Sequence, residues 1–281
     1  MLLGLHHVTA FAGNAQRNLD FYRGVLGLTL VKRTVNFDDP ATYHFYYGDA
    51  RANPGSLLTF FPWPTAPAGR AGPGQITGAT FAVPPDALSG WIDRASSPVS
   101  ERFGEKWIPL CDPAGLTVEL IGIDDGDLRL HSVTLRESDV ERTGAFLTTV
   151  LGFSQVATEG GRTRFRQNAA VIDLVASTEA RRGRLSAGMV HHVAFRVADE
   201  AAQLEWRARL MQAGVHVTRV IDRRYFRSIY FREPGGTLFE IATDGPGFFV
   251  DEAQLGSGLR LPPWLESERD SIERRLPAVT I

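Results

Sequence analysis

The chain repeats itself, and that repeat restricts its folds more than any other feature of the sequence. His6-His7-Val8-Thr9 returns as His131-Ser132-Val133-Thr134, and at the same offset Phe21 meets Phe146 and Val25-Leu26-Gly27 meets Val150-Leu151-Gly152. Each block reads as a strand, a turn, an amphipathic helix and a glycine stop. In the first copy Asn14 is placed to cap the helix, Leu19, Tyr22 and Leu26 keep helical spacing, and Gly27 falls where a helix end favours positive φ. Strand-like runs follow at residues 34–37, 43–47 and 56–61, separated by the turns Asp38-Asp39-Pro40 and Asn53-Pro54-Gly55.

A second signature links two further blocks. Asp112-Pro113-Ala114-Gly115 precedes Leu116-Thr117-Val118-Glu119-Leu120, and Glu233-Pro234-Gly235-Gly236 precedes Thr237-Leu238-Phe239-Glu240-Ile241. Upstream, Thr77-Gly78-Ala79-Thr80-Phe81 stands where His191-His192-Val193-Ala194-Phe195 stands in the other block. The chain therefore reads as four βαβββ modules, near 1–62, 74–122, 128–176 and 188–243. One helix covers only one face of a four-stranded module, so such modules pair, closing into incomplete barrels around a cavity. The expected class is α+β with two such barrels. The linker Asp124-Asp125-Gly126-Asp127 is read as dividing an N-terminal half, 1–125, from a C-terminal half, 126–243, and residues 65–74 as an inter-module linker. Residues 244–281 form a tail in which Leu265, Ile272 and Leu276 share one helical stripe. That helix is expected to pack on the body, against a second copy in a homodimer, or over the cavity mouth.

Composition excludes several classes. Of 281 residues, 43% are hydrophobic and 22% charged, with a net charge of −2, so neither a nucleic-acid-binding stripe nor a disordered acidic run is present. One cysteine, Cys111, rules out an intrachain disulfide. No apolar run approaches a membrane span, and Met1-Leu2-Leu3-Gly4-Leu5 lacks the basic start of a signal peptide. A cytoplasmic enzyme without nucleic-acid or membrane partners is expected.

The modules point to one metal site. His7 lies mid-way along the first strand of module 1, His192 holds the same place in module 4, and Glu240 is on the last strand of module 4. Two imidazoles and a carboxylate on neighbouring strands form a facial triad with open coordination positions, as a catalytic metal requires. A single strand histidine is usually structural, but a carboxylate on an apolar strand is costly to bury unless paired or metal-bound. The matching positions elsewhere are broken. Ser132 and Gly78 replace the histidines, leaving Glu119 alone, so modules 1 and 4 are expected to enclose the working site and modules 2 and 3 a vacant one. Strand parity sends His6 and His191 to the opposite face, for packing or for bonding behind the ligands. His44, His131 and His216 are read as structural or surface residues. The aromatics Phe60, Phe61, Trp63 and Phe226 are read mainly as core, some lining a pocket for a flat ring.

Three runs carry a resemblance: Gly4-Leu5-His6-His7-Val8-Thr9-Ala10, Val190-His191-His192-Val193-Ala194-Phe195, and residues 230–241 from Tyr230 through Glu233-Pro234-Gly235-Gly236 to Glu240-Ile241. Residues 31–38, 57–62, 222–230 and 261–266 extend it over nearly the whole chain. The sequence resembles the ring-cleaving dioxygenases of the vicinal oxygen chelate superfamily, the group with the glyoxalase/extradiol dioxygenase fold, and is most similar to its hydroquinone dioxygenase branch. Catechol-cleaving two-domain relatives take all three ligands from the second half, which Ser132 precludes here. The resemblance implies Fe(II), or Mn(II), as the metal, with dioxygen and a hydroquinone-like (or catechol-like) ring as substrates. It also implies roles for Thr9, Arg223 and Tyr230 around the metal. Thr9 shares the face of His7, Tyr230 could donate to a bound oxygen, and Arg223 could stabilise a phenolate. The chief alternative on the same fold is a glyoxalase-type lyase or isomerase using Zn, Ni or Co. Such sites usually have a fourth protein ligand, and Leu58-Thr59-Phe60 offers no carboxylate. A non-catalytic aromatic or drug binder is the remaining alternative, and such binders commonly lack the triad.

Overall fold

The computed structural model describes every residue except 96, 124–127, 180 and 182, so the divider Asp124-Asp125-Gly126-Asp127 lies outside the described residues. Module 1 supplies β1 (Gly4–Ala12), α1 (Ala15–Leu19, continued by a π-helical turn over Asp20–Val25), β2 (Thr29–Asn36), β3 (Asp39–Gly48) and β4 (Leu57–Pro62). Module 2 supplies β5 (Gln75–Val83), α2 (Pro85–Ala95), β6 (Ser100–Arg102), β7 (Glu105–Cys111) and β8 (Thr117–Gly122). Module 3 contains β9 (Arg129–Glu137), α3 (Val140–Thr149), β10 (Ser154–Glu159), β11 (Arg162–Gln167) and β12 (Ala170–Ala176). Module 4 contains β13 (Val190–Val197), α4 (Glu200–Gln212), β14 (Ile221–Asp222), β15 (Phe226–Arg232) and β16 (Leu238–Pro246).

Helix starts follow their capping residues. Asn14, Asp139 and Asp199 each accept a backbone N–H three residues on, from Arg17, Arg142 and Ala202. Gly27 and Gly152 take φ of 70° and 80° just beyond the first and third helices.

Among the described residues sixteen strands form two eight-stranded sheets, in the orders β14-β15-β16-β13-β1-β4-β3-β2 and β10-β11-β12-β9-β5-β8-β7-β6. Module 1 thus pairs with module 4 and module 2 with module 3, as the histidine placement requires. In each sheet two first strands meet antiparallel at the centre, β1 with β13 and β5 with β9. Each curls into a half-barrel, giving the two incomplete barrels expected from the repeats. The central strands are buried on both faces, which is why β1 reads as a nearly continuous buried run rather than an alternating one.

The Pro-x-Gly turns latch one barrel to the other. Asp112 Oδ1 accepts from Ala114 N and Leu116 N at 2.8 Å each, and its Oδ2 accepts from Tyr22 of module 1 at 3.0 Å. Glu233 does the same with Gly235 N and Thr237 N at 2.7 Å and with Thr143 of module 3 at 2.8 Å. The tail ends in a 3-10 segment, Pro263–Glu268, and α5 (Arg269–Arg275). It packs on the body through buried Leu265, Ile272 and Leu276. Lys32 on β2, wholly buried, donates to Asp251 at 2.7 Å and the Phe248 carbonyl at 2.9 Å, anchoring the start of the tail. No helix among the described residues is long and apolar enough to cross a membrane.

Candidate metal centre

The double histidines sit on β-bulges. The β1/β13 ladder jumps from Leu5↔Phe195 to His7↔Ala194 and from Thr9↔His192 to Ala10↔Val190, so His6 and His191 are the extra residues. The β5/β9 ladder slips at the matching places, Thr77 and His131. This overturns the parity expectation for His6 and His191, because a bulge suspends strict alternation. Instead of crossing to the far face, each turns onto its neighbour. His6 Nδ1 lies 2.8 Å from His7 Nδ1, and His191 Nδ1 lies 2.8 Å from His192 Nδ1. The bonding behind the ligands expected of this pair is therefore present. Burial first, then the adjacent histidine, pushes both His6 and His191 down to about 3. They stay neutral.

With the Nδ1 atoms engaged, the Nε2 atoms of His7 and His192 face one another at 3.1 Å. Glu240 Oε2 completes the triangle, 3.3 Å from His7 Nε2 and 2.9 Å from His192 Nε2. All three residues are buried, Glu240 completely. Ser228 donates a short hydrogen bond to Glu240 Oε1, which fixes the carboxylate and leaves Oε2 without a regular hydrogen bond. Burial alone would push Glu240 up, but the two imidazoles more than offset it and hold the carboxyl well below its usual range. Among the described residues this is the one group of three or more potential metal donors, with its ligand atoms within 4.8 Å of one another. The fit to a divalent ion is close. Metal–ligand bonds of about 2.0–2.2 Å at right angles put donor atoms about 3 Å apart, and the three separations observed cluster there.

The triad opens into a cavity of about 300 Å³. Thr9, Arg223 and Tyr230 all line it, with Phe11, Phe61, Trp63 and Phe226 as aromatic wall, whereas Phe60 is wholly core. Arg223 Nε donates to the Tyr230 hydroxyl at 3.1 Å, and its Nη1 pairs with Asp38 at 2.9 Å. Burial, then the Glu240 charge, raises Tyr230 above its usual range, so it remains a phenol. Thr9 Oγ1 is bonded to Thr59 Oγ1 at 2.8 Å rather than to the triad.

Module 1 contributes more than the sequence indicated. Asn36, Phe37 and Asp38 at the β2–β3 turn form part of the rim, and Trp264 of the tail packs edge-on against Phe37 with centroids 5.7 Å apart. His44 also lines the cavity. Its strand position, two residues from inward-facing Tyr46, was the available signal. His216 is exposed and His131 is buried in the other barrel, 3.6 Å from Glu105. Glu119 is no ligand. Arg102 and Thr80 hold both its oxygens. The site between modules 2 and 3 is filled by side chains, not vacant as expected, because a guanidinium occupies the place a cation would take.

Comparison with known proteins shows the family and the fold. Residues 4–98 and 129–241 match the family model described as Glyoxalase/Bleomycin resistance protein/Dioxygenase superfamily. The chain is 41% identical over 299 residues to "Putative ring-cleaving dioxygenase MhqO" of Bacillus subtilis, covering 98% of this chain and 96% of the relative. It is 34% identical over 309 residues to the chlorohydroquinone/hydroquinone 1,2-dioxygenase of Sphingobium indicum, covering 97% and 95%. A crystal structure of a B. subtilis protein described as a putative dioxygenase superposes with a TM-score of 0.93 at 41% identity, over 99% of this chain and 98% of that one. Glyoxalase I from Zea mays shares the fold alone, with a TM-score of 0.65 at 16% identity over 86% of this chain and 92% of that one.

Proposed function

We propose that this chain, which belongs to the glyoxalase/bleomycin resistance protein/dioxygenase superfamily, is a ring-cleaving dioxygenase that opens hydroquinone-like aromatics with one divalent metal held by His7, His192 and Glu240. What carries the reading is the facial triad, open on one side to a cavity walled by aromatic rings. Fe(II), or Mn(II) in its place, fits two imidazoles and a carboxylate. When bound, it would supply the electron transfer between ring and dioxygen that zinc cannot.

The protein's own groups do the rest. With a metal on Nε2, the protons of His7 and His192 would sit on Nδ1, where His6 and His191 are placed to accept them and hold that tautomer. Ser228 sets the direction of Glu240. Arg223 donates to the Tyr230 oxygen and Ser228 lies within its reach, and from there the phenol is placed to turn its proton to a substrate oxygen. The guanidinium beside it stabilises negative charge on a phenolate. Thr59 stands at the place in module 1 that matches Glu240 in module 4, so a fourth carboxylate of the glyoxalase type is missing.

Oxygen uptake by iron-loaded protein, prepared without air, tests this. One O2 consumed per para-hydroquinone with a ring-opened product is expected, and none from metal-free protein. Turnover of a hemithioacetal with no oxygen uptake on any phenol would decide for the glyoxalase alternative.

A further inference from the structure

A hydroquinone carries a second hydroxyl across the ring from the first, and burying it unpaired in an aromatic cavity is costly. The triad occupies three adjacent strands, β16, β13 and β1. Strands lie about 4.8 Å apart, so a ring held there by one oxygen and pointing away from Tyr230 would bring its far end toward β4 and β3. The polar groups of the cavity wall differ in their availability. Thr9 is on a triad strand and bonded to Thr59. Tyr230 lies beside Glu240 on the other flank, and Arg223 is divided between Tyr230 and Asp38. Asp38 is largely in solvent, with a side chain 74% exposed, and Asn36 Oδ1 accepts from the Asp38 N–H.

His44 lies on β3 beside Tyr46 on that side of the cavity, and it is held ready. Its Nε2 is bonded to Thr59 Oγ1 at 2.9 Å, and Thr59 is bonded in turn to Thr9. Its ring is wedged between Tyr46 and Phe61, with centroids 4.1 and 4.3 Å away. Nδ1 has no hydrogen-bond partner among the described residues and is not sealed from the cavity that the ring lines. Burial, reinforced by the triad histidines, keeps the imidazole neutral, so one nitrogen accepts while the other donates. The repeat gives a reason for the arrangement. Tyr46 faces Thr59 across the ladder as Tyr230 faces Glu240, so His44 holds the place in module 1 that Ser228 holds in module 4. Ser228 supports a ligand carboxylate. Where Thr59 replaces that carboxylate, the matching position is released for another role.

We propose that His44 recognises the para hydroxyl of the ring substrate through its free ring nitrogen, with Thr59 as the positioning residue that fixes the imidazole. This rests on the dioxygenase reading above. The test is binding, not turnover. Para-hydroquinone and phenol, which lacks the second hydroxyl, are each titrated under nitrogen into Mn(II)-loaded protein and followed by calorimetry. Parent protein should prefer hydroquinone. His44→Phe keeps the aromatic wedge and should weaken hydroquinone about ten-fold, the equivalent of one hydrogen bond, while leaving phenol unchanged. His44→Gln should recover part of the loss. Thr59→Val leaves the imidazole in place but unanchored, and should weaken hydroquinone a few-fold with phenol again unmoved. Equal loss for both ligands in His44→Phe and Thr59→Val, or parent affinity in both, would overturn the role of His44 alone. A parent that binds neither compound overturns the dioxygenase reading and this inference with it.

Discussion

The two barrels of this protein begin from the same plan and neutralise the same buried acid by opposite means. Glu240 and Glu119 sit at matching places on the last strands of modules 4 and 2. Arginines stand seventeen residues before each, Arg223 and Arg102. In the barrel of modules 2 and 3, Arg102 turns inward, clamps both oxygens of Glu119 and bonds Thr80 at 3.2 Å. Arg164 and Arg162 bind Asp173 alongside, with Arg164 also on Glu105. In the barrel of modules 1 and 4, Arg223 is drawn off to Tyr230 and Asp38, and two imidazoles face the acid instead. The residue opposite the acid differs accordingly: Pro109 faces Glu119, whereas Tyr230 faces Glu240. One barrel satisfies its carboxylate with a guanidinium from within, and the other keeps its guanidinium away from the acid.

The largest expected effect of breaking this contrast is on metal content. His7→Ala, His192→Ala and Glu240→Ala should each abolish tight metal binding and oxygen uptake, whereas Glu119→Gln should leave one metal per chain. Metal analysis after dialysis decides it. Stoichiometric iron in two of the three triad variants would sink the assignment.

Next in size is the loss of the internal clamp. Arg102→Met removes the guanidinium bonded to buried Glu119 and leaves the charge of Arg162 and the Thr80 hydroxyl to offset it, which costs about 3 kcal/mol and should lower Tm by on the order of 10 °C. Replacing Glu119 by Met as well should restore most of that stability, since removing a whole buried pair is often neutral. Thermal denaturation of the single and double variants checks this. A destabilised double variant would show that packing, not charge, explains the single one.

The sequence made the modules, their pairing and the triad legible, because these depend on residue types repeated at fixed spacing. It did not reveal the bulges. His6 and His191 carry no glycine or proline to announce them, and an extra residue in a strand is a property of two ladders at once. The clamp on Glu119 was hidden for a different reason. Arg102 is on a three-residue edge strand whose arginine looks solvated until the sheet curls it inward. His44 was passed over because a histidine among aromatics reads equally well as core or cavity wall. Its place in the cavity wall and its bond to Thr59 decide between them.

A third buried acid lies on the seam between the barrels and, among the described residues, has neither kind of partner. Glu137, wholly buried at the end of β9, faces Glu233, and the Thr237 hydroxyl donates to it at 3.1 Å. Burial and then the Glu233 charge push it up from 4.5 to about 8. The folded state therefore holds a proton that the unfolded chain releases. This stability is fully present below pH 4.5 and is lost as pH rises through about 8. Glu137→Gln should flatten that part of the profile in urea denaturation. An unchanged slope would mean that the seam relaxes when Glu137 ionises.

The smallest effect is the most informative about what separates the barrels. Tyr230→Phe keeps the ring against His192, whose centroid lies 5.7 Å away, and removes only the hydroxyl that holds Arg223. If the hydroxyl donates to bound substrate, the variant should keep its iron and lose kcat about ten-fold or more, a change of the size expected for one donor. Arg223→Lys retains charge but not the planar fork, so it should impair substrate use more than metal content. The other barrel shows what else could happen. Released from Tyr230, Arg223 could swing onto Glu240 as Arg102 does onto Glu119, and iron would then be lost together with activity. Metal content in Tyr230→Phe separates the two roles. Retained iron with slow turnover makes the hydroxyl a donor to substrate, and lost iron makes it the tether that keeps an arginine off the metal ligand. Parent-level iron and turnover together would leave Tyr230 as a wall aromatic.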